Sequence, residues 1–153
     1  MRRRTFLALA PAAACAAGAG EAMPAGRGRG WLVLDFDAVF CGDCFAPVLD
    51  FLRAVPAAAQ ERALTAVLCF SAPRPPADAK GRRRIVEAKW DGLRRANGWA
   101  VPAVFDSGQD FRLWLSRRTS RLILFDAPNR SVRGLDLPVP NGRIDEVLAL
   151  LLD

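Results

Sequence analysis

Cys41 and Cys44 stand three residues apart, with Gly42 and Asp43 between them, shortly after the apolar run Trp31 to Phe36. A Cys-x-x-Cys at the turn from a strand into a helix suits a redox-active disulfide. The unpaired N–H groups and the positive dipole end of a helix start favour a thiolate at Cys41, and the thiolate is the nucleophilic form of cysteine. Cys44, one helical turn further in, is then placed to resolve a mixed disulfide. Two carboxyls, Asp35 and Asp37, precede the pair in the segment Leu32-Val-Leu-Asp-Phe-Asp-Ala-Val-Phe-Cys-Gly-Asp-Cys44. They place two acidic side chains on the same stretch, a second candidate chemistry beside the sulfurs.

For either chemistry the elements must deliver these residues to one place. Trp31 to Phe36 is almost continuously apolar, as expected of a central strand buried on both faces. Cys44 to Val55 carries apolar residues at 45, 48, 49, 51, 52 and 55, a helical stripe with Pro47 in its first turn and Pro56 at its end. Leu64 to Phe70 reads as a second buried strand, and Ser71 to Ala79, with three prolines, as a loop. A helix follows from Lys80 to Asn97, with Ile85, Val86, Ala88, Trp90 and Leu93 on its buried side and Gly98 as its stop. Val101 to Phe105 is a short strand, and Gln109 to Ser116 makes two turns of helix. Arg121 to Asp126 and Ser131 to Leu135 form an antiparallel hairpin around Ala127-Pro128-Asn129-Arg130. Arg143 to Leu152 closes the chain as a helix, with Ile144, Val147, Leu148 and Leu151 on one face. The alternation gives an α/β fold with a central mixed β-sheet flanked by helices on both faces.

This order of elements, with the cysteine segment at the first strand-helix turn, resembles the thioredoxin superfamily. From Val101-Pro-Ala-Val-Phe-Asp106 and Leu122-Ile-Leu-Phe-Asp126 through Val132-Arg-Gly it is similar to the extracytoplasmic thiol-disulfide interchange and redoxin branch. The resemblance implies a thioredoxin fold over residues 31–153 and thiol-disulfide exchange with protein thiols or disulfides of the cell envelope. It also implies a role for Asp35, six residues before Cys41, where the family carries a buried strand Asp that helps deprotonate the second cysteine. By the same resemblance, Gly42 and Asp43 between the cysteines, and Thr119 and Ser120 before the hairpin strand, are expected in substrate-facing places. Two departures stand out. The family's cis-proline is replaced at Thr119 or Ser120, which bears on substrate recognition and on access of metal ions to the dithiol. Asp43 places a negative charge against a thiolate at Cys41, so a reductant or slow exchanger is expected rather than a strong oxidant.

Val33 to Phe40 also resembles the first motif of haloacid-dehalogenase-type phosphatases. That resemblance gives the nucleophile and acid roles to Asp35 and Asp37, a phosphate-binding role to Ser71, and the family's lysine to Lys80 or Lys89. Ala38 stands where Gly, Ser or Thr is usual, Asp126 is the one candidate for the later acidic motif, and the cysteines are left unused. Cys69, inside an apolar run, reads as a small buried hydrophobe. With no histidine in the chain, Cys41, Cys44 and Cys69 lack a fourth ligand for a usual zinc set. Cu(I) held by the Cys41 and Cys44 thiolates of a binding module without turnover is the remaining metal chemistry; no resident cofactor or metal is expected.

The chain has 153 residues, 52% hydrophobic and 25% charged, enough for one folded domain. Its formal charge of +6 is concentrated at the front, where five Arg stand against Glu21 before Trp31; the rest sets 17 basic against 15 acidic residues. The run Lys80 to Arg84 has no interleaved aromatics, so nucleic acid is not expected as a partner. Arg2, Arg3 and Arg4 before the apolar stretch Phe6 to Ala17 read as a signal peptide over 1–17, of possible twin-arginine type. Residues 18–30 read as a flexible linker. Cys15 is a candidate for lipidation, the one membrane attachment expected of a stretch too short to span a bilayer. The expected location is periplasmic or extracytoplasmic, where disulfides persist, and the expected state is a monomer.

Overall fold

A computed structural model describes residues 29–70, 77–106, 111–115, 118–126 and 131–152. The stretch expected to be a signal peptide, most of the expected linker, Cys15 and Ser71 lie outside the described residues. The chain forms β1 (Gly30–Asp35), a 3-10 turn (Asp37–Phe40), α1 (Gly42–Ala54), α2 (Ala57–Ala63), β2 (Leu64–Cys69), α3 (Ala79–Asn97), β3 (Ala103–Phe105), α4 (Arg112–Leu115), β4 (Ser120–Asp126), β5 (Ser131–Asp136) and α5 (Ile144–Leu152). The five strands make one sheet in the order β3-β2-β1-β4-β5. β1 pairs in parallel with β2 and antiparallel with β4, β2 and β3 are parallel, and β4 and β5 form an antiparallel hairpin. This is the expected α/β sheet, compatible with a thioredoxin fold.

β1 is central, and every one of its residues is buried. Its alternation divides the core. Leu32 and Leu34 join Leu64, Ala66 and Leu68 of β2 under α1, α3 and α5, whose Val48, Phe51, Leu52, Val86, Trp90, Val147 and Leu151 cover that face. Trp31 and Val33 face the other way, with Val67, Cys69 and Ile123 under Phe111 and Leu115. The steps from β1 to β2 to β3 run in one direction across the sheet, so crossovers of the usual hand bring α1, α2 and α3 to a single face. Helices thus flank both faces, with the short α4 covering the second.

Several elements depart from the sequence reading. α1 begins at Gly42 rather than Cys44, which places Pro47 past the first turn; lacking an N–H, Pro47 leaves the Asp43 carbonyl without its helical partner. α2 is an addition to that reading, because Ala57-Ala-Ala-Gln-Glu-Arg-Ala63 is a run of good helix formers without an apolar stripe. Gln60 anchors it from a buried position: its amide donates to the carbonyls of Leu52 and Val55 at 2.9 Å each, and its oxygen accepts the Ala100 N–H at 3.1 Å. On α3, Val86 and Trp90 are buried and Leu93 is packed against the core, but Ile85 and Ala88 are exposed. One stripe at 86, 90 and 93 fills the available surface, and residues 85 and 88 lie off it.

Gly98 ends α3 as expected. It adopts φ 67° and ψ 28°, and its N–H turns back to the Arg94 and Arg95 carbonyls. A side chain is disfavoured in this left-handed conformation, although no atom crowds the position. Gly98→Ala is expected to lower stability by about 1 kcal/mol, read as a lower urea midpoint at unchanged slope.

Candidate active site

The site grows out of the end of β1. The Asp35 N–H donates to the Thr119 carbonyl at 2.8 Å and the Phe36 N–H to the Cys69 carbonyl at 2.7 Å, so the strand end is fixed on both sides. The chain then turns: the Asp37 N–H donates to Asp35 Oδ1 at 2.8 Å, a side-chain-to-backbone bond two residues on that stabilises such turns. The 3-10 turn closes as the Cys41 N–H reaches the Ala38 carbonyl at 3.2 Å. Extended backbone at Cys41, φ −95° and ψ 112°, makes it the N-cap of α1.

Cys41 caps the helix with both of its acceptors. Its carbonyl takes the Phe45 N–H at 2.9 Å and its Sγ takes the Cys44 N–H at 3.3 Å. Cys41 and Cys44 are paired at disulfide distance, with Cα atoms 5.2 Å apart and both side chains partly exposed. The helix start therefore points the Cys44 N–H, one of those left without a helical partner, at the sulfur that leads the motif. No family model, curated protein or solved structure matches the chain. The reading of the site accordingly rests on its own geometry.

Beside the pair lies a cleft of about 290 Å³, lined by Asp43, Cys44 and Pro47 of α1, by Arg118, Thr119 and Ser120 at the start of β4, and by Leu137. Three of the four residues given substrate-facing places, Asp43, Thr119 and Ser120, thus meet around Cys44, while Gly42 is exposed on the first turn of α1 and does not line the cleft. Arg118 carried no sequence signal; its guanidinium pairs with Asp136 at 2.9 Å. The cis X-Pro bond of the described residues is Leu137–Pro138, after β5 and not before β4.

Asp35 is buried at 7% exposure. The Asp37 amide is its carboxyl's hydrogen-bond donor, and Oδ2 is buried without a partner among the described residues. Strand alternation puts Asp35 on the face of Val33 and Cys69, and β-pairing sets it opposite Cys69 itself. Asp35 therefore ends β1 beside Cys69 and, through the Asp37 N–H, braces the start of the turn that leads to Cys41. Asp37 points outward instead, its carboxylate on the Arg82 guanidinium at 2.6 Å. Asp35 and Asp37 diverge, and no cluster of three acidic, cysteine or histidine side chains able to hold a metal occurs among the described residues. Lys80 and Lys89 are exposed on α3.

Cys69 is fully buried, and its Sγ lies 3.7 Å from the Leu34 carbonyl. Burial pushes its thiol up from 9.0 to about 12; the Asp106 and Asp35 carboxylates add to the rise and Arg112 opposes it. Below pH 9.0 the thiol is protonated in folded and unfolded chains alike. Above it the unfolded chain releases the proton while the folded chain holds it, so the stability that Cys69 contributes is lost as pH rises from 9.0 toward about 12. Urea midpoints are expected to fall over this range more steeply in the wild type than in Cys69→Ala. Iodoacetamide should label Cys41 and Cys44 of the reduced native protein and reach Cys69 only after unfolding.

Proposed function

We propose that this protein is a thioredoxin-like thiol-disulfide oxidoreductase that acts on protein thiols or disulfides outside the cytoplasm. The observation that carries the reading is the pairing of Cys41 with Cys44 at the N-cap of α1, open to solvent beside a cleft. The Arg-rich start and apolar stretch of the sequence support export. No helix among the described residues is long and apolar enough to cross a membrane.

In the reducing direction the Cys41 thiolate attacks one sulfur of a substrate disulfide. The substrate S–S bond breaks, a Cys41-to-substrate disulfide forms, and the departing substrate thiolate takes a proton. Cys44 then gives up its proton and attacks the Cys41 sulfur, releasing the second substrate thiol. Two electrons have passed to the substrate, and Cys41 and Cys44 are left as the disulfide. The helix start stabilises the thiolate at Cys41, and Asp43 in the same turn opposes it. Asp35 takes the Cys44 proton; its burial and its unpartnered Oδ2 support that role. Thr119 and Ser120 offer polar groups to the substrate at the cleft.

Thiol trapping after equilibration with mixtures of reduced and oxidised glutathione tests the reading. A reversible Cys41–Cys44 disulfide with one midpoint is the expected result. Failure of the two cysteines to join under mild oxidant would overturn it. Mass spectrometry of the protein from its native envelope tests export, since an intact Met1 argues against it.

A further inference from the structure

Asp37, the outer carboxylate of the Asp-x-Asp segment, has no part in the exchange described above. It stands in the turn that delivers Cys41, with its side chain 72% exposed and held by Arg82 from the first turns of α3. Arg82 is itself placed by packing. Its guanidinium carbon sits 5.2 Å from the centre of the Phe36 ring and 5.8 Å from that of Phe70. Those rings stack at 4.6 Å and both meet Phe105 edge-on. A cation over aromatic faces is attracted to them and loses rotational freedom there. Arg82 is only 34% exposed, so one well-placed charge faces one carboxylate.

We propose that Arg82 is a positioning residue for Cys41 that acts through Asp37: by pairing with it, Arg82 cancels a negative charge four residues before the reactive sulfur. The inference rests on the thiol reading of the site. An exposed pair of this kind adds little to stability, so its use lies in what it does to the neighbouring thiol. The charged groups on the elements that meet at the motif are Asp43 on α1, Asp37 on the turn, Arg82 on α3, Arg118 ahead of β4 and Asp35 at the end of β1. Without Arg82, Asp37 joins Asp43 in disfavouring the Cys41 thiolate. With it, Asp43 is the uncompensated charge of the motif.

The test is the pH profile of Cys41 alkylation in the fully reduced protein, with the labelled peptide identified by mass. It does not depend on whether the protein exchanges disulfides. Arg82→Gln is expected to slow Cys41 alkylation at pH 7 about threefold, equivalent to half a unit in the thiol's midpoint. Asp37→Asn should be as fast as wild type or faster, the double variant should return to the wild-type profile, and Arg82→Lys should stay within about twofold of wild type. High salt should shrink the difference between wild type and Arg82→Gln. An unchanged profile in Arg82→Gln, or a double variant as slow as Arg82→Gln, overturns the proposal. A glutathione titration of the same samples separates the two ideas: an absent Cys41–Cys44 disulfide with a shifted alkylation profile removes the exchange function and leaves the Arg82 effect standing.

Discussion

Cys41→Ser is expected to reduce the rate of disulfide reduction to background, and Cys44→Ser to accumulate a covalent adduct with the substrate through Cys41. The two outcomes differ because the two sulfurs stand in different places. Cys41 leads the helix, accepts the Cys44 N–H and is the sulfur on which the helix start acts; a serine hydroxyl there can cap α1 but is not ionised, so no attacking species remains. Cys44 follows one turn later against the cleft. With Ser at 44 the first attack still occurs and the mixed disulfide has no internal thiol to release it. Trapping with a mass-tagged alkylating reagent reads both results on one gel. Neither substitution should unfold the domain, since both side chains are partly exposed and the core lies elsewhere. A phosphatase using Asp35 would keep its activity in both variants, and a Cu(I)-binding module would show no turnover in any.

How much of this is legible in the sequence depends on how each residue is held. β1, β2 and the hairpin are readable because their apolar runs are buried on both faces or alternate against helices, and burial writes itself into composition. The position of Cys41 at a helix start follows from the apolar stripe after it. α2 escapes such a reading because its helix is fixed by the Gln60 side chain reaching three distant backbone groups, a tertiary contact with no periodic trace. The α3 pattern assigns Ile85 and Ala88 to the core because it permits a wider stripe than the sheet has room for. Arg82 and Arg118 do not stand out among so many arginines; what distinguishes them is a pair of phenylalanine rings in one case and Asp136 with the cleft in the other, all assembled by chain crossings. The divergence of Asp35 and Asp37 is equally hidden. Two residues apart on a strand they would share a face, but Asp37 lies beyond the strand end, where the turn sends it toward α3.

Asp35→Asn is expected to slow the resolving step on the order of 10²-fold, the lower end of what a positioned base contributes, while leaving the first attack by Cys41 within a few-fold of wild type. The separation follows from the geometry. Asp35 is buried at the end of β1, its Oδ1 is engaged by the Asp37 amide and its Oδ2 has no partner among the described residues. Asn preserves the volume and can keep the bond to the Asp37 amide, so the turn and the register with Cys69 should persist. What it removes is a group able to take up a proton. The Cys41 step begins from a thiolate favoured by the helix start and needs no such group, whereas Cys44 must lose its proton inside the mixed disulfide before it can attack. Single-turnover kinetics with a fluorescent disulfide peptide should therefore show a normal burst of mixed disulfide followed by slow release in Asp35→Asn. The adduct should then be the same species that Cys44→Ser holds permanently. Equal slowing of both phases would mean that Asp35 acts through the shape of the turn, and an unaltered release rate would take the base assignment away from it. Loss of a magnesium-dependent phosphatase activity in this variant, with that activity intact in the cysteine variants, would move the function of the segment from its sulfurs to its carboxylates.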